Sequence, residues 1–147
     1  MQILITGSSG FIGSHLIEFL RSQGVDCIGI DIKANHEYTD HVIDINNYDL
    51  INQTLSDYTF THCVHLAART DLFGKSITDY SANIKGLSNI CRYIKAKSIT
   101  KCIFASTQLV NRIGYKPNDI NDFNPDTFYG WSKVIGEQIV FDNFIDN

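Results

Sequence analysis

Tyr129 and Lys133 stand four residues apart on a stretch that reads as a helix, so their head groups share one face and can converge on one ligand. A phenol has a pKa near 10, roughly three units above neutral, and needs a nearby cation to act as a base at physiological pH. Lys133 can supply that charge and bond a ribose hydroxyl with the same ammonium. Thr107 follows directly on a predicted strand, where its hydroxyl can orient a substrate alcohol for Tyr129. Two plainer readings stay open, because such Tyr and Lys pairs also occur on ordinary surface helices and a Thr after a strand can simply bond its own turn.

A second constellation lies at the N-terminus. Ile3-Leu4-Ile5-Thr6-Gly7-Ser8-Ser9-Gly10-Phe11-Ile12-Gly13 reads as a buried strand, a glycine turn and a helix opening. Gly7 suits the turn, Gly10 leaves room for a pyrophosphate, and Gly13 lets helix and strand pack closely. The free N–H groups and the positive dipole end of the helix then face the phosphates. A second apolar run, residues 25–30, stops at Asp31, where a carboxylate can accept from an adenosine ribose. Asp31 favours NAD over NADP, since it repels a 2′-phosphate; Lys33 weakens that preference unless it is a solvated loop charge.

These groups need a scaffold, and the chain alternates strand and helix to its end. Beyond the first βαβ unit, residues 41–45 read as a third strand, 48–58 as a helix and 63–68 as a fourth strand. After a loop over 69–75, Tyr80, Ile84, Leu87, Cys91 and Ile94 recur at three- and four-residue steps and predict one long helix. Residues 101–106 form the fifth predicted strand, and a loop with Gly114, Pro117, Asn118 and Pro125 follows. Asp126 or Thr127 caps a last helix running to the end. The expectation is an α/β, Rossmann-type, doubly wound parallel sheet of order 3-2-1-4-5, with ligands at the carboxyl ends of the strands, where Thr6, Asp31, Ala67 and Ser106 fall.

With 147 residues, 44% of them hydrophobic, the chain can bury one core, which predicts a single domain over 1–147. A net charge of -4 with scattered Lys and Arg speaks against nucleic acid and against an acidic membrane surface. The longest N-terminal apolar run is residues 3–5 and no basic segment precedes it, so neither a signal peptide nor a membrane span is expected and the cytoplasm is the expected compartment. Cys27, Cys63, Cys91 and Cys102 lack ligand or redox spacing, which predicts free thiols and no metal site.

Six ordered segments carry a family resemblance: residues 6–13 with Asp31, Asp44-Ile45, His65-Leu66-Ala67-Ala68, Asn83-Ile84-Lys85-Gly86, Phe104-Ala105-Ser106-Thr107, and Tyr129-Gly130-Trp131-Ser132-Lys133. The chain resembles the extended short-chain dehydrogenase/reductases, in particular the NAD-dependent sugar epimerase/dehydratase group. The resemblance implies Tyr129 as catalytic acid/base, Lys133 as its activator and ribose ligand, and Thr107 as the substrate-orienting hydroxyl. It implies that Asp44 and Ile45 flank the adenine, that Leu66, Ala67 and Ala68 line the cofactor's path beside Phe11 and Ile12 of the glycine segment, and that Asn83 holds the middle helix and a water. For Asp44 a strand-end turn residue is the alternative, and for Asn83 a polar residue on a solvated face.

Two departures narrow the implied chemistry. Sugar dehydratases of this group usually carry Asp-Glu after the catalytic Thr, whereas Gln108-Leu109 follow Thr107 here and cannot exchange protons for elimination. The usual Val-Tyr-Gly is replaced by Val110-Asn111-Arg112, which alters the implied sugar contacts. Epimerisation of a nucleotide-sugar is the leading expectation, a sugar reductase the nearest rival, and a non-catalytic dinucleotide-binding or interaction module the reading from another class. The resemblance also implies that family members continue into a C-terminal substrate region, so an N-terminal part needing a complementing polypeptide is expected, with a homodimer as an analogy. Phe141, Phe144 and Ile145 are the apolar residues available for association.

Overall fold

The computed structural model describes residues 1–144, so Ile145 lies outside the described residues. Strand β1 (Gln2–Thr6) leads through a turn into helix α1 (Phe11–Ser22), and β2 (Asp26–Asp31) pairs parallel to β1 with Gln2 opposite Asp26. Strand β3 (His41–Val42), helix α2 (Tyr48–Thr54) and strand β4 (His62–His65) follow, and β4 pairs parallel to the other side of β1. After helix α3 (Leu87–Ala96) comes β5 (Lys101–Phe104), and helix α4 (Phe128–Phe144) closes the described chain. The sheet order is β3-β2-β1-β4-β5, as the alternation predicts.

β1 shows why the order holds. In a strand, neighbouring side chains point to opposite faces. Ile3 and Ile5 pack with Ile17 of α1 and Cys27 on one face, and Leu4 packs with Ile30, Ile51, Cys63 and Ile90 on the other. The apolar run Ile3-Leu4-Ile5 is therefore covered on both faces, as the middle of a central parallel strand must be. Among the described residues no helix is long and apolar enough to cross a membrane.

The elements differ from the sequence expectation at their ends. Only His41 and Val42 of the predicted third strand pair with β2, because Asp44 turns the chain by accepting from the Asn46 backbone N–H at 2.9 Å, and Asn47 then caps α2 through Leu50 N–H. The predicted long helix runs without interruption to Ala96 but changes its winding, from a 3₁₀ turn (Ile77–Tyr80) through a π-helical turn (Ala82–Gly86) into α3. Of the two cap candidates for α4, Thr127 has the hydroxyl that accepts from Gly130 N–H, at 3.0 Å. β5 is shorter than predicted and forms a sheet edge, leaving Ile103 64% exposed.

Candidate functional site

The carboxyl ends of β1, β2 and β4 open into a groove of about 640 Å³. Its first end is the glycine turn. Gly7 has φ +75°, and a Cβ there would lie 2.6 Å from Ala67 N. A Cβ on Gly13 would lie 2.2 Å from Gly7 O, so only glycine lets α1 begin this close to the turn. Gly10 is the residue before α1; no side chain caps the helix there, and its first turn carries no acid. The first-turn N–H groups have no intrahelical acceptors and are available to an anion.

Asp31 stands beside this turn. One carboxylate oxygen accepts from Ser9 N–H at 3.0 Å and the other from Lys33 N–H at 2.9 Å, which fixes both oxygens in the groove wall while each keeps a free lone pair. Asp44 and Ile45 line the same region, Phe11 and Ile12 stand exposed on its rim, and Leu66, Ala67 and Ala68 form the facing wall. Tyr129 and Lys133 line the far end.

Thr107 and Asn83 are not among the groove-lining residues. Thr107 precedes a 3₁₀ turn (Gln108–Val110), and its hydroxyl oxygen accepts from Leu109 N–H at 3.2 Å, so the turn-capping reading holds while its proton stays free to donate. Asn83 is buried at 3% exposure, which excludes the solvated-face reading. Its Oδ1 accepts from Arg69 N–H at 2.8 Å, and its Nδ2 donates to Arg69 O at 3.0 Å and to Ser132 Oγ at 2.8 Å. It thereby ties the loop after β4 to α4, the helix of Tyr129 and Lys133.

Lys133 Nζ donates to Ala105 O at 3.0 Å. Burial pushes the ammonium's pKa down, and the charge of Glu137 acts against that shift. Beneath it, His65 is pushed from an ordinary value near 6.5 to about 3, mainly by burial and secondarily by the Lys133 charge. Thr6 Oγ1 accepts from Ala67 N–H at 3.1 Å and shares a hydrogen bond of 2.8 Å with His65 Nδ1, its direction set by the imidazole tautomer.

Sequence reasoning assigned no role to His65, Ser132, Ser106 or Glu137. His65 and Ser132 stood inside segments already singled out, and the neutral imidazole in an apolar run was the available signal. Ser106 stood at the carboxyl end of the fifth predicted strand and inside a singled-out segment, but its hydrogen bond to Glu137 joins strand end and helix and left no local signal.

Residues 3–143 match the family described as NAD dependent epimerase/dehydratase family. CDP-paratose 2-epimerase of Salmonella typhi is 30% identical over 127 residues, covering 75% of this chain and 38% of the relative. UDP-glucuronate 4-epimerase 1 of Arabidopsis thaliana is 27% identical over 164 residues, covering 95% of this chain and 38% of the relative. Among solved structures, the Bordetella bronchiseptica enzyme WbmG in complex with NAD and UDP superposes with a TM-score of 0.83 at 26% identity, covering 97% of this chain and 50% of that one. A short-chain dehydrogenase/reductase superfamily protein of Agrobacterium tumefaciens with bound NAD gives 0.79 at 26% identity, covering 95% and 44%. The chain spans half or less of the length of each of these relatives.

Proposed function

The chain belongs to the NAD-dependent epimerase/dehydratase family, and on that premise we propose that its groove binds NAD and serves epimerisation of a nucleotide-sugar. What supports this reading is one groove with the glycine turn and Asp31 at one end and Tyr129 and Lys133 at the other. The NAD held by the two structural relatives supports the cofactor, and the epimerase names of the two curated relatives support the reaction class.

The donor set fits the cofactor. The uncapped first turn of α1 suits a pyrophosphate, the fixed Asp31 oxygens suit two ribose hydroxyls, and the region of Asp44 and Ile45 suits a flat base. Bound NAD supplies two-electron oxidation and reduction of a sugar carbon. Tyr129 takes the proton from the hydroxyl of that carbon and returns it, and Lys133 keeps a positive charge beside the phenolate that this creates. Thr107 donates its hydroxyl proton to the sugar oxygen and holds it at Tyr129. Gln108 and Leu109 offer no acid for elimination, which favours epimerisation over dehydration. Turnover needs a substrate pocket built from sequence beyond the part of its relatives that this chain spans.

Calorimetric titration of NAD into the chain tests the reading, with Gly10→Val as its control. A Cβ on Gly10 would meet only Gly7 O, at a tight 3.2 Å, and the valine side chain fills the space a pyrophosphate needs; circular dichroism of the variant accompanies the titration to show that it is folded. Saturable NAD binding that Gly10→Val removes is expected. A folded chain that takes up no NAD would overturn the proposal.

A further inference from the structure

Lys133 presents a problem of charge. Its ammonium is half-buried, makes one hydrogen bond to Ala105 O, and stands over a buried imidazole. The ion pairs among the described residues, Arg21 with Asp40 and Arg69 with Asp71, lie elsewhere. A buried ammonium without a counter-charge tends to lose its proton, and with it the property that Tyr129 requires.

The nearest source of negative charge on the same helix is Glu137, one turn beyond Lys133 and on the same face. Its carboxylate accepts a hydrogen bond from the Ser106 hydroxyl. Glu137, Ser106, Lys133 and His65 all line a second cavity of about 440 Å³ that borders the groove between β5 and α4. The titratable groups around Lys133 are His65 from β4 and Tyr129 and Glu137 from α4, while residues 66–68 and 105–106 contribute none. With His65 neutral, Glu137 is the carboxylate in this set.

We infer that Glu137, fixed by the Ser106 hydroxyl, is a positioning residue that keeps the Lys133 ammonium charged beside Tyr129 and locks α4 to the end of β5. It deepens the reading of Tyr129 and Lys133 given above. Two adjacent tethers run from one strand end to one helix turn, Ala105 O to Lys133 and Ser106 Oγ to Glu137. Ser106 immediately precedes Thr107, so the same pair of tethers sets the hydroxyl of Thr107 against the helix that carries the phenol.

The test is the ¹³Cε titration of Lys133 in the whole chain without NAD, assigned by its loss in Lys133→Arg. Glu137→Gln keeps the shape and the hydrogen-bonding oxygen while removing the charge. It is expected to lower the Lys133 midpoint by about one pH unit, a tenfold loss of proton affinity. Ser106 is exposed, so Ser106→Ala keeps the fold and gives a second reading: releasing the carboxylate is expected to lower the midpoint by a smaller amount. Midpoints unchanged in Ser106→Ala and, where it folds, in Glu137→Gln overturn the inference. The readout needs neither NAD nor turnover, so it fails separately from the cofactor reading, which NAD titration of the same samples reports.

Discussion

Acidification should destabilise this chain through His65 before it protonates the carboxylates. His65 has a folded pKa of about 3 against an ordinary value near 6.5. Between these values the unfolded chain binds a proton that the folded chain refuses. The neutral imidazole's contribution is therefore complete above about pH 6.5 and is lost as pH falls towards 3. At pH 4.5 the unfolded imidazole lies about two units below its pKa, which costs about 2.7 kcal/mol of stability, a hundredfold in the unfolding constant. That figure depends on the unfolded value alone, provided the folded value stays well below 4.5. His65→Asn keeps a hydrogen-bonding partner for the Thr6 hydroxyl, as donor or acceptor, and removes the titration. Urea unfolding of both chains from pH 7 to pH 4.5 is the assay. The variant should start less stable, because its side chain no longer packs against Phe104, and should then lose about 2.7 kcal/mol less than the parent. The other four histidines are common to both chains and cancel in the difference. The depressed carboxylates Asp71, Asp79 and Asp122 titrate below this window. Parallel stability profiles in the two chains would refute the reasoning.

Other perturbations have equally definite outcomes. Gly7→Ala should cost about 3 kcal/mol in denaturant unfolding, since an L-residue is strained at φ +75° and its Cβ would run into the backbone of Ala67. Asn83→Ala removes three hydrogen bonds and strands Arg69 N–H, so thermal unfolding should report a loss of about 2–4 kcal/mol with NAD affinity falling alongside. Tyr129→Phe should leave NAD binding in place by calorimetry and abolish any epimerase turnover the chain supports. Burial raises all four thiols, and Cys102 alone is not fully buried, so mass spectrometry after brief treatment with a thiol reagent should find Cys102 modified first.

The sheet was legible because its signals are local and periodic. A run such as Ile3-Leu4-Ile5 ending in Thr6-Gly7 states in one place that a strand is buried on both faces and that a turn follows. The groove wall was legible for the same reason, since Asp31 ends its strand and Ala67 and Ala68 lie within three residues of the end of theirs. The π-helical turn before α3 was not. Tyr80, Ile84 and Leu87 keep helical spacing, yet Asn83 is held by partners 14 and 49 residues away, which no periodicity within the segment can register. Thr107 shows the limit from the other side, because its position after a strand left a substrate-orienting hydroxyl and a turn-bonding one both open, and only the bond from Leu109 N–H shows that its oxygen serves the turn.

The placement of β1 between β2 and β4 also orders the assembly of the molecule in time. Ile3 lies opposite Cys27 on one side but opposite His62 on the other, a pairing between residues 59 apart in sequence. A chain emerging N-terminus first can complete β1, α1 and β2, with the glycine turn already shaped, before β4 exists. Until His62–His65 arrives, the other edge of β1 is an apolar template with unpaired backbone groups, open to strands from other chains. Closure of the long loop is paid in entropy before the ladder rewards it, so the β1–β4 ladder should set the folding rate. Nascent chains stalled between residues 31 and 62 would then be the species most prone to aggregate.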